Sequence, residues 1–286
     1  MSSTLASTAP VALAPRSRLQ LVLRSGVFLT GAGIVVFWLF CALFGPSVVP
    51  LDPYADDLMN TLAPPSAAHW FGTDQLGRDI FSRVIVGARP ILSVAPLATL
   101  IATVLGTSLG LLTGYAGGVI DLVLGRVIEV LLALPLIIVA LVALVALGPS
   151  SSTVIAVIGL IFTPLIARTV RAAVLSERSL DYVAAAELRG EGALHIMFVE
   201  ILPNVLPAVL VETTVRLGYA IFTVASLSFL GFGIQPPSAD WGLAIAENYG
   251  MLTGGYWWTA AFAAGATASL VVGVNLVADG IAGALR

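Results

Sequence analysis

The stretch DYVAAAELRGEGALHIMFVEILPN, Asp181–Asn204, decides how the chain must be read. It is polar and broken by glycine, and it lies between long oily segments. The chain around it has 286 residues, of which 58% are hydrophobic and 10% charged. Soluble domains are about a quarter charged. A mean hydropathy of +1.02 makes lipid the expected solvent. Within the stretch, Asp181 to Arg189 is built from acceptable or good helix formers. Gly190 and Gly192 then end or turn the run. Ala193 to Leu202 predicts a second short helix, bounded where Pro203 restricts Leu202. The product is an elbow of two short helices. Ala184, Ala185 and Ala186 expose little beyond backbone and permit close approach by another protein. Glu187, Arg189 and Glu191 ring that surface with charge. A docking element and a plain solvated connector both fit these residues.

Outward from the elbow, six segments approach the roughly 20 apolar residues of a membrane span. They are Val27–Phe44, Ile91–Leu112, Val127–Leu147, Ser151–Ala167, Val205–Phe232 and Trp257–Ala278. The fourth carries Pro164, which neighbouring helices can accommodate in a membrane. The first follows Arg16, Arg18 and Arg24, but its apolar run is too long for a signal peptide, so it reads as an uncleaved anchor. The expected class is an all-α polytopic membrane protein with six transmembrane helices. Its parts are a cytoplasmic tail (1–25), a first helix (26–46), an external loop (47–90) and a five-helix core (91–286). The elbow region is 176–204.

Arginine placement orients the chain, because Arg-rich loops stay cytoplasmic. With both termini inside, Arg126, Arg168, Arg171, Arg178, Arg189 and Arg286 face the cytoplasm together with the N-terminal arginines. Arg78, Arg83 and Arg89 lie outside, and the elbow faces inward. Outside, GRDIFSRVIVGARP sets Ile80, Val84 and Val86 on one helical face and Arg78, Asp79 and Arg83 on another. That pattern suits an interfacial helix, and equally a short loop helix. GIQPPSADWG, Gly233–Gly242, cannot be helical at its paired prolines. Trp241, Trp257 and Trp258 fit an aromatic belt.

Several function classes drop out. All 13 basic residues are Arg. A P-loop needs a lysine for the nucleotide phosphates, so any ATP is handled elsewhere. Cys41 is the single cysteine, which excludes an internal disulfide or thiolate metal site. His69 and His195 fall on opposite sides of the membrane, and no HExxH or GxSxG motif exists. A net charge of −3 argues for no polyanionic partner, so nucleic acid is not expected. Glu212 and Arg216, four apart in the fifth span, are expected to pair. They line a path or gate, or hold helices together. Ser226, Ser228 and Phe229 are further path candidates, although small residues also simply let helices pack. A membrane enzyme using Glu212 lacks convergent partners. An ion-coupled secondary transporter is the other rival, but no inverted repeat is visible.

The elbow resembles the cytoplasmic E-A-A loop of permease subunits in ATP-binding-cassette importers. The triplet falls on Ala184, Ala185 and Ala186, the following glycine on Gly190, and the Leu-Pro on Leu202 and Pro203. Two positions depart: the motif's Glu is Ala184, and its Ile is Glu200. HWFGTDQLGRDIFSRVIVGAR (His69–Arg89), GYAGGVID (Gly114–Asp121) and LSFLGFGIQPPSADWG (Leu227–Gly242) resemble permeases for dipeptides, oligopeptides and nickel, nearest the C-type dipeptide subunit. Relatives often carry Glu where this chain has Val224. The resemblance implies a type I importer permease fold in a cell (inner) membrane. Its implied partners are a homologous permease forming a heterodimer, two ATPase subunits or one fused ATPase, and an extracytoplasmic substrate-binding protein. No cofactor is bound by this chain, and ATP and Mg belong to the partners. The cargo implied is a short peptide, with nickel or haem as alternatives. The coupling residues implied are Ala184, Ala185, Ala186, Glu187, Arg189, Gly190, His195, Leu202 and Pro203.

Overall fold

A computed structural model describes residues 22–285. Most of the expected tail, with Arg16 and Arg18, lies outside the described residues, as does Arg286. The described chain is almost wholly helical. The elements are α1 (Gly26–Val48), α2 (Ile80–Val86), α3 (Ala88–Ala116), α4 (Gly118–Ala133), α5 (Leu136–Leu147), α6 (Ser151–Arg178) and α7 (Asp181–Leu188), then α8 (Ala193–Phe229), α9 (Trp241–Asn248) and α10 (Trp258–Leu285). Five helices are long and apolar enough to cross a membrane, and the bent pair α4–α5 supplies a sixth crossing if taken as one span.

That pair corrects the third expected span. Val127–Leu147 is not one helix, because α4 and α5 meet at 90°. Pro135 lacks an N–H and drives the residue before it out of the helical region. Leu134 accordingly sits at φ −83°, ψ 138°. Pro164, by contrast, is carried inside α6, which continues to Arg178, eleven residues past the expected end.

The core is organised by one close approach. Gly106, Gly110 and Gly114 form a ridge along α3, and a Cβ on each would stand 2.6–2.7 Å from Ile166, Val170 and Val174 of α6 respectively. Gly159 of α6 returns the arrangement, facing Ile101. In lipid there is little hydrophobic drive between helices, so small residues that let backbones approach do the packing. Ile166, Val170 and Val174 are fully buried as a result. α1 crosses α10 by similar means, with Gly31 against Gly273, and the indole of Trp38 donates to Ser269 Oγ at 2.9 Å.

Between α1 and α3, and again between α8 and α10, the chain builds a cap at the bundle end opposite the elbow. α2 does not lie on a surface with its arginines in water, as an interfacial helix would. Ile80, Ser82, Arg83, Val84 and Val86 are all buried. Arg78 donates to Asp74 Oδ2 (2.7 Å) and Glu247 Oε2 (2.8 Å). Arg83 approaches the same two acids and donates to the Pro53 carbonyl at 3.2 Å. The Trp241 indole donates to the Val84 carbonyl at 2.8 Å and stacks edge-on against Trp38. The cap is thus pinned to the bundle by buried charge and aromatic contact.

Gly110→Val overpacks the α3–α6 seam and should destabilise the protein by about 1–3 kcal/mol, read as lost membrane abundance and aggregation on detergent gel filtration. Gly265→Ala, where a Cβ meets nothing within 4 Å, should behave as wild type.

Candidate functional site: the elbow and the charges of the bundle

α7 runs Asp181–Leu188, and Gly190 takes φ +74°, the left-handed region in which glycine is unstrained. The inner face of the elbow is anchored by Val183, Ala186, Ile196 and Ile201, all essentially buried. Ala184, Glu187 and Leu188 are exposed on the outer face, and Ala185 is half-buried. Leu188 is 90% and Leu194 70% exposed, two apolar side chains flanking the Gly190 turn. The sequence reading passed over both leucines. The signal was available, since an apolar residue on each side of a polar turn has no lipid to face.

The second short helix does not stop at Pro203. Ala193–Phe229 is a single helical path, and a π turn occupies Ile196–Ile201. Leu202 N–H bonds to Met197 O, five residues back. A proline inside an α-helix removes a bond and crowds the carbonyl four residues earlier. The wider π turn just before Pro203 accommodates both effects. Pro203 and Leu202 are therefore inside α8 rather than at a helix boundary.

The charges of the elbow are spent within it. Arg189 donates to Glu191 at 2.7 Å and to Glu200 at 3.4 Å, and His195 Nε2 lies 3.6 Å from Glu191. Glu200, the departure from the motif's Ile, is thus the residue that ties the turn to the start of α8. Glu191, His195 and Glu200 present ligand-type atoms within 4.8 Å of one another, but the Arg189 guanidinium already sits on both carboxylates. Glu187 accepts from Tyr115 Oη at the end of α3 (3.2 Å), and Arg178 of α6 stands over the Tyr115 ring. Tyr182 donates to Glu177 at 2.8 Å. Burial, and then that carboxylate, push the Tyr182 phenol up to about 12. Arg171 makes a bidentate pair with Asp121 at 2.6 Å, joining α6 to α4. The elbow consequently touches the ends of α3 and α6 and continues unbroken into α8.

Within the bundle, Glu212 and Arg216 do pair, at 2.6 Å, with both side chains mostly buried. Arg216 also lies over the Tyr219 ring. One residue along, Thr213 Oγ1 meets Thr103 Oγ1 of α3 at 3.1 Å, a polar link between the two helices beside the ion pair. Arg126 pairs with Glu129 at 2.8 Å, both exposed. Ser226 and Phe229 line an open apolar groove of about 620 Å³ between α8 and α10. Ser228 is a correction to the path set. It is wholly buried, and its Oγ accepts from the Ile234 N–H at 3.0 Å, folding the 230–240 segment back onto the end of α8. Val224 is also fully buried within the core.

Asp240 completes the cap. It is fully buried and accepts from the Leu243 N–H at 2.9 Å to start α9, while its Oδ2 has no hydrogen-bond partner. Burial pushes this carboxyl up to about 6.

Residues 106–286 match the family described as binding-protein-dependent transport system inner membrane component. The chain belongs to that family. The matched region takes in the last eleven residues of α3, then the bent pair, α6, the elbow, α8 and α10. A probable D,D-dipeptide transport system permease protein, DdpC of Escherichia coli K12, is 38% identical over 257 residues, covering 90% of this chain and 86% of that protein. The dipeptide transport system permease protein DppC of Bacillus subtilis 168 is 37% identical over 262 residues, covering 92% and 82%. The oligopeptide transport system permease protein OppC of the same organism is 35% identical, covering 90% and 84%. The helical architecture and the family agree: this is a multi-pass membrane permease component of binding-protein-dependent transport.

Asp240 gives a signed pH dependence. Its folded pKa lies above the unfolded value of about 3.9, so the protonated form stabilises the fold. That stability is complete below pH 4, is lost as pH rises through about 6, and then stays flat. The loss is about 3 kcal/mol. Asp240→Asn keeps the Oδ1 cap and removes the charge. The difference in thermal midpoint between variant and wild type should widen from pH 4 to 6 and be constant above it.

Proposed function

We propose that this chain is one half of the translocation path of an ATP-driven importer of short peptides. The observation that carries the reading is the elbow itself: a two-faced element with an anchored inner side, an exposed outer side, and direct continuity with a 37-residue helix. The peptide cargo is supported by the relatives, whose names are those of dipeptide and oligopeptide permeases. Nickel or haem is the alternative cargo for the same role.

The elbow and both termini face the cytoplasm in this reading, supported by Arg126, Arg168, Arg171, Arg178 and Arg189 clustering at that end of the sequence topology. Two ATPase subunits, or one fused ATPase, bind ATP and Mg, and this chain binds no cofactor and carries out no hydrolysis. A homologous permease forms the heterodimer, and a substrate-binding protein delivers cargo at the cap end. Ala184, Ala185 and Ala186 let the ATPase surface approach closely. Leu188 and Leu194 provide apolar contact where the family motif has an ionic one, because Ala184 carries no charge. Gly190 sets the angle, while Glu187, Arg189 and His195 hold the elbow's shape. Movement of the ATPases carries the elbow, and α8 follows through Leu202 and Pro203 as a rigid body. Glu212 and Arg216, with Ser226 and Phe229, lie along that moving helix as path or gate residues.

Gly190→Pro replaces a φ of +74° with one fixed near −65°, at a cost of about 3 kcal/mol. Ala185→Trp fills the approach surface. In proteoliposomes holding the complete transporter and binding protein, both variants should insert normally while ATP-driven dipeptide uptake falls to background. Undiminished uptake in both would sink the coupling role. Uptake by liposomes holding this chain alone would instead favour a secondary transporter.

A further inference from the structure

The cap end holds two neighbouring clefts that share Tyr54 and Pro90 in their walls. The first, about 670 Å³, carries the polar groups of Asp52, Tyr54, Arg89 and Ser93 among prolines and aliphatic side chains. The second, about 680 Å³, extends to Ser150 and Gln235. Each falls in the range of about 300–1,000 Å³ common to small-ligand sites.

Arg89 differs from the other two arginines of this end. Arg78 and Arg83 are consumed in the buried cluster with Asp74 and Glu247. Arg89 sits exposed in the first turn of α3, and among the described residues it makes no ion pair or side-chain hydrogen bond. Asp52 is the acid of the same cleft. The Tyr54 N–H donates to its Oδ1 at 2.9 Å, which fixes the carboxylate and leaves Oδ2 open. Nearby Asp57 is engaged by Met59 N–H and Asn60 and lies outside the cleft. One cleft therefore offers one unpaired guanidinium and one oriented carboxylate, with neutral polar groups and apolar walls between.

We propose that this cleft is a subsite for the two charged termini of a short unmodified peptide, Arg89 taking the terminal carboxylate and Asp52 the terminal ammonium. The inference rests on the peptide reading above and names residues for it. The guanidinium fork matches a carboxylate bidentately, and a fixed carboxylate accepts from an ammonium. Both groups recognise what every short peptide shares, whatever its side chains. An extended dipeptide spans about 7 Å, so the proposed subsite requires Asp52 and Arg89 to stand about that far apart across the cleft. The site is open to water and binds weakly, as a transit site must in order to release its cargo.

The test uses the complete transporter in nanodiscs without its binding protein, so that only the permease discriminates. Saturation-transfer NMR titrations measure Ala-Ala, Ala-Ala amide and N-acetyl-Ala-Ala. Wild type should prefer Ala-Ala over both blocked peptides, a comparison that needs no variant. Arg89→Gln should bind Ala-Ala about tenfold more weakly and lose the preference over the amide. Asp52→Asn should lose the preference over the acetylated peptide instead. Arg89→Lys should fall between, and Arg126→Gln should match wild type. Equal affinities for the three peptides in wild type, no detectable binding, or unchanged selectivity in Arg89→Gln would each overturn the subsite. Failure of the peptide reading looks different: with binding protein and ATP present, the wild-type transporter would take up no Ala-Ala at all.

Discussion

The structure depends on how closely α3 and α6 approach one another. Gly106, Gly110 and Gly114 remove every Cβ from one strip of α3, and Ile166, Val170 and Val174 of α6 fill it. Dispersion contacts between such surfaces are individually tiny and collectively large. In lipid they replace the hydrophobic drive that a soluble bundle would use. The seam fixes α6, and α6 in turn fixes Arg171 against Asp121 and places Arg178 above Tyr115. Those contacts put the elbow where it is. A wider seam would leave Glu187 and Tyr115 without each other.

From that seam the elbow draws its mechanical character. Its turn is bridged by Arg189, which pairs with Glu191 and reaches Glu200 on the second arm. The π turn carries the path past Pro203 without a break. At about 1.5 Å per residue, the 37 residues of α8 reach about 55 Å, longer than a bilayer core is thick. Leu194 of the elbow and the Glu212–Arg216 pair therefore lie on one helical path. The ion pair and the Thr103–Thr213 link stand where α8 crosses α3.

The opposite end is built on a different principle. Arg78, Arg83 and Asp74 are buried together with Glu247 half-buried beside them, and each charge has opposite charges or backbone carbonyls around it. Removing one partner from such a group leaves a buried charge uncompensated, which costs far more than the pair contributes. The cluster therefore specifies one arrangement of the cap. Asp240 adds to the cap below about pH 6, where burial outweighs its hydrogen bonds and keeps its carboxyl neutral.

Local composition determined much of this protein. Hydropathy adds up along the chain, so the oily helices were legible, and so was the elbow as a charged interruption turned at Gly190. The i, i+4 pairing of Glu212 and Arg216 was legible because helix geometry alone brings them together. The GxxxGxxxG spacing of α3 was present in the sequence and went unread. Other features have no local signal. Arg78 finds Glu247 across 169 positions, and no pattern near Arg78 distinguishes a buried arginine from one lying on a membrane surface. The 90° turn at Pro135 and the uninterrupted passage at Pro164 come from the same residue type. The sequence settled which segments prefer lipid and where the chain turns. Tertiary packing decided which charges meet, which prolines bend the chain, and that Ser228 is a buried tie, because a polar group's role is set by whatever distant residue reaches it first.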